Sequence, residues 1–104
     1  MSNLRIIKVF QYDGDLGNFA EDTNEFYYYI PDWAIKAHEQ YRLVFKNDEY
    51  ANRKDVAYIR SNNGIYCPLE EGDYVIMFED NQDLKVIPAD KFKSYIVENN
   101  LLIN

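Results

Sequence analysis

The sequence predicts a small α+β domain, in which hairpins form a mostly antiparallel sheet and two short helices pack beside it. Three observations support this prediction. Short segments rich in β-branched and aromatic residues alternate with turn-forming residues, and prolines precede apolar residues at helical spacing. The length of 104 residues fits one domain over residues 1–104, and 16% aromatic residues is too many for a disordered chain.

The first part of the chain contains two predicted strands. Residues 4–12 are rich in β-branched and aromatic residues, and residues 25–30 contain three consecutive tyrosines. Between them, residues 13–18 have the Gly, Asp and Asn content of a turn. We expect the two strands to pair as an antiparallel hairpin with a long, acidic connection.

Pro31 and Asp32 predict the start of a helix, because Pro is preorganised for the first turn and Asp suits the positive end of the helix dipole. The pattern leaves the end of this helix open. It either continues through residue 45 or stops near Gln40, with a strand following over residues 41–46. Alternating apolar residues favour the strand, namely Tyr41, Leu43 and Phe45.

The second half predicts two more hairpins and a second helix. Residues 47–55 are polar and predict a loop. One hairpin pairs residues 56–60 with 65–69 around an Asn-Gly turn, and the next pairs 73–78 with 84–87 around a polar turn. Pro88 then predicts a helix with apolar residues at helical spacing, while residues 98–104 have no assigned structure. The apolar positions of this helix are Phe92, Tyr95 and Ile96.

The charges are distributed unevenly along a chain whose formal net charge is −7. Residues 9–35 and 61–84 contain no Lys or Arg, and they hold twelve of the eighteen acidic residues. Residues 36–60 are comparatively basic. An acidic balance disfavours direct binding to nucleic acid or to anionic lipid, and it fits a partner protein with a basic surface. If the two acidic segments fold together, they form one negative face.

The single cysteine, Cys67, cannot form an internal disulfide, so we expect a reducing compartment, the cytoplasm. The N-terminal residues lack the features of a signal peptide, and no stretch approaches the length of a membrane span.

The sequence shows no recognisable catalytic or metal-binding motif. A calcium loop starting at Asp13 fails, because Asn18 and Asn24 replace the required Gly and Glu. His38 and Cys67 have no spacing that indicates a nucleophile–base pair, and core packing is expected for both. The four glycines are too scattered for a phosphate-binding loop. We therefore expect no enzyme activity, metal or cofactor.

Three consecutive tyrosines, residues 27–29, must point to both faces of a strand. One of them, next to Glu25 and Asp22, is therefore expected to face outward as part of a binding patch, since Tyr is enriched at interface hot spots. The alternative is that both faces pack against neighbouring elements.

Between positions 31 and 97 the chain has a recurring order of elements, carried by Pro31, Trp33, Gly72-Asp73-Tyr74-Val75-Ile76, Pro88, Phe92 and Tyr95. This order resembles small accessory proteins of tailed phages and prophages, which act in the cytoplasm of a bacterial host. This chain departs from the pattern in the acidic turn at residues 79–83, where such proteins usually have glycine. The resemblance implies a phage or prophage origin and assigns no activity.

Three hypotheses about the function follow, in order of preference. The first is an inhibitor of a host nucleic-acid-binding or defence protein, such as an RNA-guided nuclease, in which carboxylates stand in for phosphates. The second is a virion assembly or homo-oligomeric structural protein, and the third a small-molecule binder or enzyme. For the first, the expected partner-binding residues are Asp13, Asp15, Glu21, Asp22, Glu25, Tyr28, Glu70, Glu71, Glu79, Asp80 and Asp83.

Overall fold

The computed structural model describes residues 4–14, 17–48 and 53–104, and in these residues the chain has the predicted α+β fold. In chain order the elements are β1 Arg5–Gln11, β2 Gly17–Ala20, β3 Glu25–Tyr28, α1 Asp32–Glu39, β4 Leu43–Asp48, β5 Arg53–Arg60, β6 Tyr66–Leu69, β7 Tyr74–Phe78, β8 Leu84–Ile87, α2 Phe92–Glu98 and β9 Leu101–Ile103. A 3₁₀ turn over Ala89–Lys91 leads into α2.

The described strands form three sheets. The largest has the order β8-β7-β1-β9, and it is mixed because β1 pairs antiparallel with β7 and parallel with β9. The second contains β2 and β3, and the third has the order β4-β5-β6. All pairs among the described strands except β1–β9 are antiparallel, which confirms the prediction of a mostly antiparallel fold built from hairpins.

Successive residues of β1 point to opposite faces of the largest sheet, and each face has its own core. On one face, Phe10 packs with Val75 and Leu84 against α1 and the β4-β5-β6 sheet, which we call core I. On the other face, Ile7 and Ile76 pack against α2, which we call core II. The largest sheet is therefore the central layer, and each fully buried aliphatic side chain contributes about 1.5–3 kcal/mol to stability.

Helix α1 ends in a Schellman motif. The backbone N–H of Tyr41 donates to the carbonyl of His38 at 3.1 Å, and that of Arg42 donates to Ala37 at 2.9 Å. Tyr41 takes the left-handed conformation that this motif requires, with φ +60°. The strand alternative over residues 41–46 is therefore confirmed, although Tyr41 itself lies before β4 and is exposed.

The predicted hairpin between the first and second strands is wrong. β3 pairs with β2, which lies in the predicted connection and overlaps the predicted turn at residues 17–18, whereas β1 pairs with β7 and β9. The physical reason is that β1 is apolar on both faces. A strand that supplies two cores lies at the centre of a sheet, beside an equally apolar strand such as β7.

The two later hairpins are confirmed. β5 pairs with β6, and β7 pairs with β8. In the turn between β5 and β6, Gly64 has φ +85° and its N–H donates to the carbonyl of Ser61. The turn is therefore a three-residue loop with a left-handed glycine, and not a two-residue Asn-Gly turn. The polar loop predicted over residues 47–55 is wrong at both of its ends, because β4 extends to Asp48 and β5 begins at Arg53, and residues 49–52 lie outside the described residues.

The C-terminal residues, which had no assigned structure, form the edge strand β9. The chain turns out of α2 at Asn100, which has φ +52°. Leu101 then enters core II, and β9 pairs in parallel with β1. Leu102 lies beside Ile6 in this register, and both side chains are exposed.

Candidate functional site

Three of the predicted carboxylates lie at one end of the largest sheet. The chain leaving β1 runs beside the turn that precedes β7, because the N–H of Tyr12 donates to the carbonyl of Asp73 and that of Gly72 donates to Tyr12. Gly14, with φ +98°, lies so close to this turn that a Cβ on it would be 3.5 Å from Cδ of Glu71. The exposed carboxylates here are Asp13, Glu70 and Glu71, which we call the acidic end.

Asp73 shapes this end of the sheet. Its carboxylate accepts a hydrogen bond from the N–H of Glu70 at 2.9 Å, and its own N–H donates to the carbonyl of Glu70. Because Asp73 is half-buried and bonded within the turn, it holds the neighbouring backbone so that Glu70 and Glu71 stay exposed.

Three other predicted carboxylates lie at the opposite end of β7. The five residues of this strand separate Asp73 from Glu79 by about 20 Å at the usual rise of a strand. The two basic-free segments therefore do not combine all their acids into one negative face. The carboxylates at this far end are Glu79, Asp80 and Asp83.

The carboxylates of this far end are engaged within the protein. Arg5 forms a two-point ion pair with Asp80, with distances of 2.8 and 2.9 Å, and this hydrogen bonding lowers the pKa of the Asp80 carboxyl below its ordinary value. Glu79 accepts the side-chain amide of Asn104 at 2.8 Å. Asp83 accepts the backbone N–H groups of Asn62 and Leu84. Because Arg5 compensates its charge, Asp80 is the least suited of the three to replace a phosphate.

The remaining predicted acids lie at the tip of the β2–β3 hairpin. Glu21 and Asp22 occupy the turn, and Glu25 begins β3. All three are exposed, and Glu25 accepts a hydrogen bond from the hydroxyl of Tyr27 at 3.3 Å. We call these residues the hairpin tip. Asp15 lies outside the described residues.

An outward tyrosine is confirmed, but at neighbouring positions. Tyr27 and Tyr29 are each at least half exposed. Tyr28, the predicted contact residue, is half-buried against core I, with its ring 5.8 Å from that of His38. Alternation along the strand explains this difference, because Tyr28 shares its face with the buried Ile30.

His38 and Cys67 both contribute to packing. The Nδ1 atom of His38 lies 2.8 Å from the carbonyl oxygen of Leu43, and its ring contacts Tyr28. Cys67 packs against core I from β6. In the described ranges, no three residues of the His, Cys, Asp and Glu types are grouped as metal ligands.

Sequence reasoning missed a polar cavity between two hairpin turns. Arg42 and Arg60 line it together with side chains from both turns. The signal was present, since residues 36–60 are the basic part of an acidic chain. What the sequence lacked was the register that places these two arginines side by side.

Comparison with protein-family models, with curated proteins and with solved structures gave no match to this chain. In the part of the chain that the structure describes, no helix is long and apolar enough to cross a membrane.

Proposed function

We propose that the protein is an accessory protein of phage or prophage type that binds and inhibits a nucleic-acid-binding or defence protein of a bacterial host, such as an RNA-guided nuclease. Its acidic end and hairpin tip contact a basic surface on that partner. Carboxylates take the place of phosphates, so that the inhibitor and the nucleic acid compete for one site.

The observation that carries this proposal is the convergence at the acidic end. Asp13 comes from the first basic-free segment, and Glu70 and Glu71 come from the second. The contact between Gly14 and Glu71 brings these two segments together, although they are far apart in sequence. Their exposed carboxylates belong to segments without Lys or Arg, which favours attraction to a basic partner.

The hairpin tip supplies a second group of exposed acids, with Tyr27 beside it. A tyrosine next to carboxylates combines apolar contact area with charge, which is typical of interface hot spots. The proposed contact residues therefore centre on the acidic end and the hairpin tip. Glu79, Asp80 and Asp83 lie at the other end of the sheet and are expected to contribute less, Asp80 least of all because Arg5 compensates its charge.

The test begins with the immobilised chain and nuclease-treated host lysate at about 0.05 M and about 0.5 M salt, a range that changes charge screening strongly. The retained protein is identified by mass spectrometry and purified. Displacement of its bound nucleic acid by the soluble chain is then titrated. The proposal expects retention at low salt, release at high salt and competitive displacement.

Two charge-matched triple variants locate the contact. The first changes the acidic end, Asp13→Asn, Glu70→Gln and Glu71→Gln. The control changes three exposed acids elsewhere, Glu39→Gln, Asp90→Asn and Glu98→Gln. The first variant removes three exposed carboxylates, each of which is expected to form an ion pair with the partner worth about 0.5 kcal/mol. Its affinity for the partner should therefore fall about 10-fold. Equal effects of both variants, or retention without displacement, would contradict the proposal.

A second candidate function, assembly into a homo-oligomer, is favoured by the exposed edge of β9. Leu102 and Ile103 are each 48% exposed, Ile6 lies exposed on the neighbouring strand β1, and the exposed Leu4 directly precedes that strand. An edge strand with apolar side chains is a template for pairing with another chain. Light scattering during size-exclusion chromatography tests this function. A stable oligomer that dissociates with Leu102→Lys supports assembly, and a monomer at all concentrations excludes it.

A further inference from the structure

Two arginines lie directly opposite each other at the end of the β4–β5 pair. Leu43 pairs with Ile59, and the next residues outward, Arg42 and Arg60, continue this register, since the N–H of Arg60 donates to the carbonyl of Arg42 at 2.7 Å. Both arginines line one cavity at this end of the strand pair, and the guanidinium of Arg42 donates to the carbonyl of Gln82 in the β7–β8 turn. Residues opposite each other in this way have Cβ atoms about 5 Å apart.

Like charges in directly opposite positions are destabilising unless an anion lies between them. Among the described residues, the ion pair that forms is that of Arg5 with Asp80, and neither Arg42 nor Arg60 takes part in one. Arg42 donates to the carbonyl of Gln82 and to the side-chain oxygen of Asn62. These neutral partners position Arg42. Because neither arginine is within ion-pair distance of an acidic side chain among the described residues, a bound anion is favoured.

The two arginines line a cavity of about 390 Å³ that lies between two hairpin turns. Its walls come from the β5–β6 turn and the β7–β8 turn, which are held together where Asn62 donates to the carbonyl of Asn81 at 2.9 Å. A second hydrogen bond stabilises this contact, because the Asp83 carboxylate accepts the backbone N–H of Asn62. The residues lining the cavity are Arg42, Arg60, Ser61, Asn62, Gly64, Asn81 and Gln82.

Gln82 occupies a backbone conformation that favours glycine. Its φ is +60°, in the left-handed region that costs most side chains free energy. This residue lines the cavity and also a second one. Strained backbone is common at ligand sites, because surrounding structure maintains it where the side chain is needed.

The second cavity, of about 240 Å³, adjoins the first because Arg42 and Gln82 line both. It is less polar, since Trp33, Ala37 and Met77 contribute to it. Trp33 is half-buried and is held by the ring of Phe10, with a centroid separation of 5.5 Å. A fixed indole beside an arginine suits a flat aromatic ring that carries an anionic group.

We propose that the two cavities together bind one mononucleotide. The phosphate lies between Arg42 and Arg60, where guanidinium groups can donate two hydrogen bonds each. The base lies in the second cavity beside Trp33 and Met77, and the sugar lies next to Gln82, which lines both cavities. The net charge of −7 opposes a polyanion such as RNA, whereas one small anion contacts only the local positive charge.

Trp33 provides a direct signal, because it is the only tryptophan in the chain. The full-length protein is titrated with AMP and GMP, and with adenosine and inorganic phosphate as the separate halves of the ligand. Binding is measured by calorimetry and by tryptophan fluorescence. The proposal expects either nucleotide to bind more tightly than phosphate or adenosine, and to change the Trp33 emission.

Three variants separate the site from general charge effects. Arg60→Gln is expected to weaken nucleotide binding about 10- to 100-fold, which is typical of a lost hydrogen bond to a charged group. Gln82→Gly places glycine where φ is positive, so the fold is retained while binding weakens about 2- to 10-fold. Lys93→Gln removes one exposed positive charge from α2 and is expected to leave binding unchanged.

Four outcomes would overturn the proposal. These are no nucleotide binding at millimolar concentration, equal losses from Arg60→Gln and Lys93→Gln, phosphate binding as tight as nucleotide binding, and tighter binding of an RNA oligonucleotide than of AMP and GMP. Because this site does not include the acidic end or the hairpin tip, its failure leaves the proposed inhibitor function standing.

Discussion

Arg5 forms a two-point ion pair with Asp80, and its guanidinium also lies 3.9 Å from the centroid of the Phe78 ring. These contacts join the start of β1 to the turn that follows β7. They also compensate the charge of one exposed carboxylate, because Asp80 faces a cation of its own chain. The ion pair therefore contributes to the fold at the far end of the sheet, and the acidic end carries the proposed contact.

The first prediction concerns the pH dependence of this ion pair. The pKa of Asp80 is lowered in the folded protein, so its contribution to stability is fully present above the unfolded pKa of about 3.9. That contribution is lost as the pH falls through the lower, folded pKa. Urea unfolding of wild type and Asp80→Asn should show wild type more stable at pH 7 and pH 5, and the difference should shrink below about pH 4.

Salt is the control for this first prediction. Because both side chains are exposed, about 1 M NaCl should reduce the difference at pH 7. A difference between the two proteins that does not change with either pH or salt would show that the ion pair does not cause it.

Local patterns predicted the later hairpins and both helices, because turn residues, prolines and apolar spacing act within a few residues. Two features were not predictable from such local patterns, namely the partners of β1 and the positive φ of Tyr41. β1 pairs with β7 and β9, since its apolar residues on both faces need a central position. Helix α1 ends at a tyrosine with positive φ, where a sequence signal would require glycine or asparagine.

The candidate site was predictable only as a set of residue types. Charge counting identified the two basic-free segments, but the rise along β7 determines that Glu71 and Asp80 lie at opposite ends of a sheet. The arginine pair shows the same limit. Arg42 and Arg60 are eighteen positions apart, and only the β4–β5 register places them opposite each other.

The second prediction compares two neighbouring residues of β1 that point to opposite faces. Ile7 is 0% exposed in core II, and Ile6 is 41% exposed. Ile7→Val should lower the free energy of unfolding by about 0.5–1.5 kcal/mol, because it leaves a cavity. Ile6→Val should stay within about 0.5 kcal/mol of wild type. Urea unfolding measures both, and equal losses would contradict the assignment of the two faces.

The third prediction concerns the end of helix α1. Tyr41 is exposed and has φ +60°, a conformation that costs an L residue about 1–2 kcal/mol and costs glycine almost nothing. Glycine also makes the unfolded chain more flexible, which offsets part of the gain. Tyr41→Gly should therefore raise the free energy of unfolding by about 0.5–1 kcal/mol.

The neighbouring residue provides the control for the third prediction. Gln40 has φ −89°, where glycine relieves no strain, so Gln40→Gly should lower stability by about 0.5–1 kcal/mol. The opposite signs at adjacent positions distinguish relief of backbone strain from a general effect of glycine. Thermal unfolding of both variants measures this, and losses of similar size would rule out the strained conformation.

The fourth prediction concerns the stacked rings that join β7 to α2. The rings of Tyr74 and Phe92 have centroids 3.9 Å apart and planes 11° apart. A double-mutant cycle with Tyr74→Leu and Phe92→Leu should give a coupling energy of about 0.5–1.5 kcal/mol, beyond the loss of buried area. A parallel cycle between Phe92→Leu and Trp33→Leu should give less than about 0.5 kcal/mol, because these residues pack in different cores. Coupling of similar size in both cycles would show that the sheet transmits packing changes between its faces, and the two cores would then not be independent.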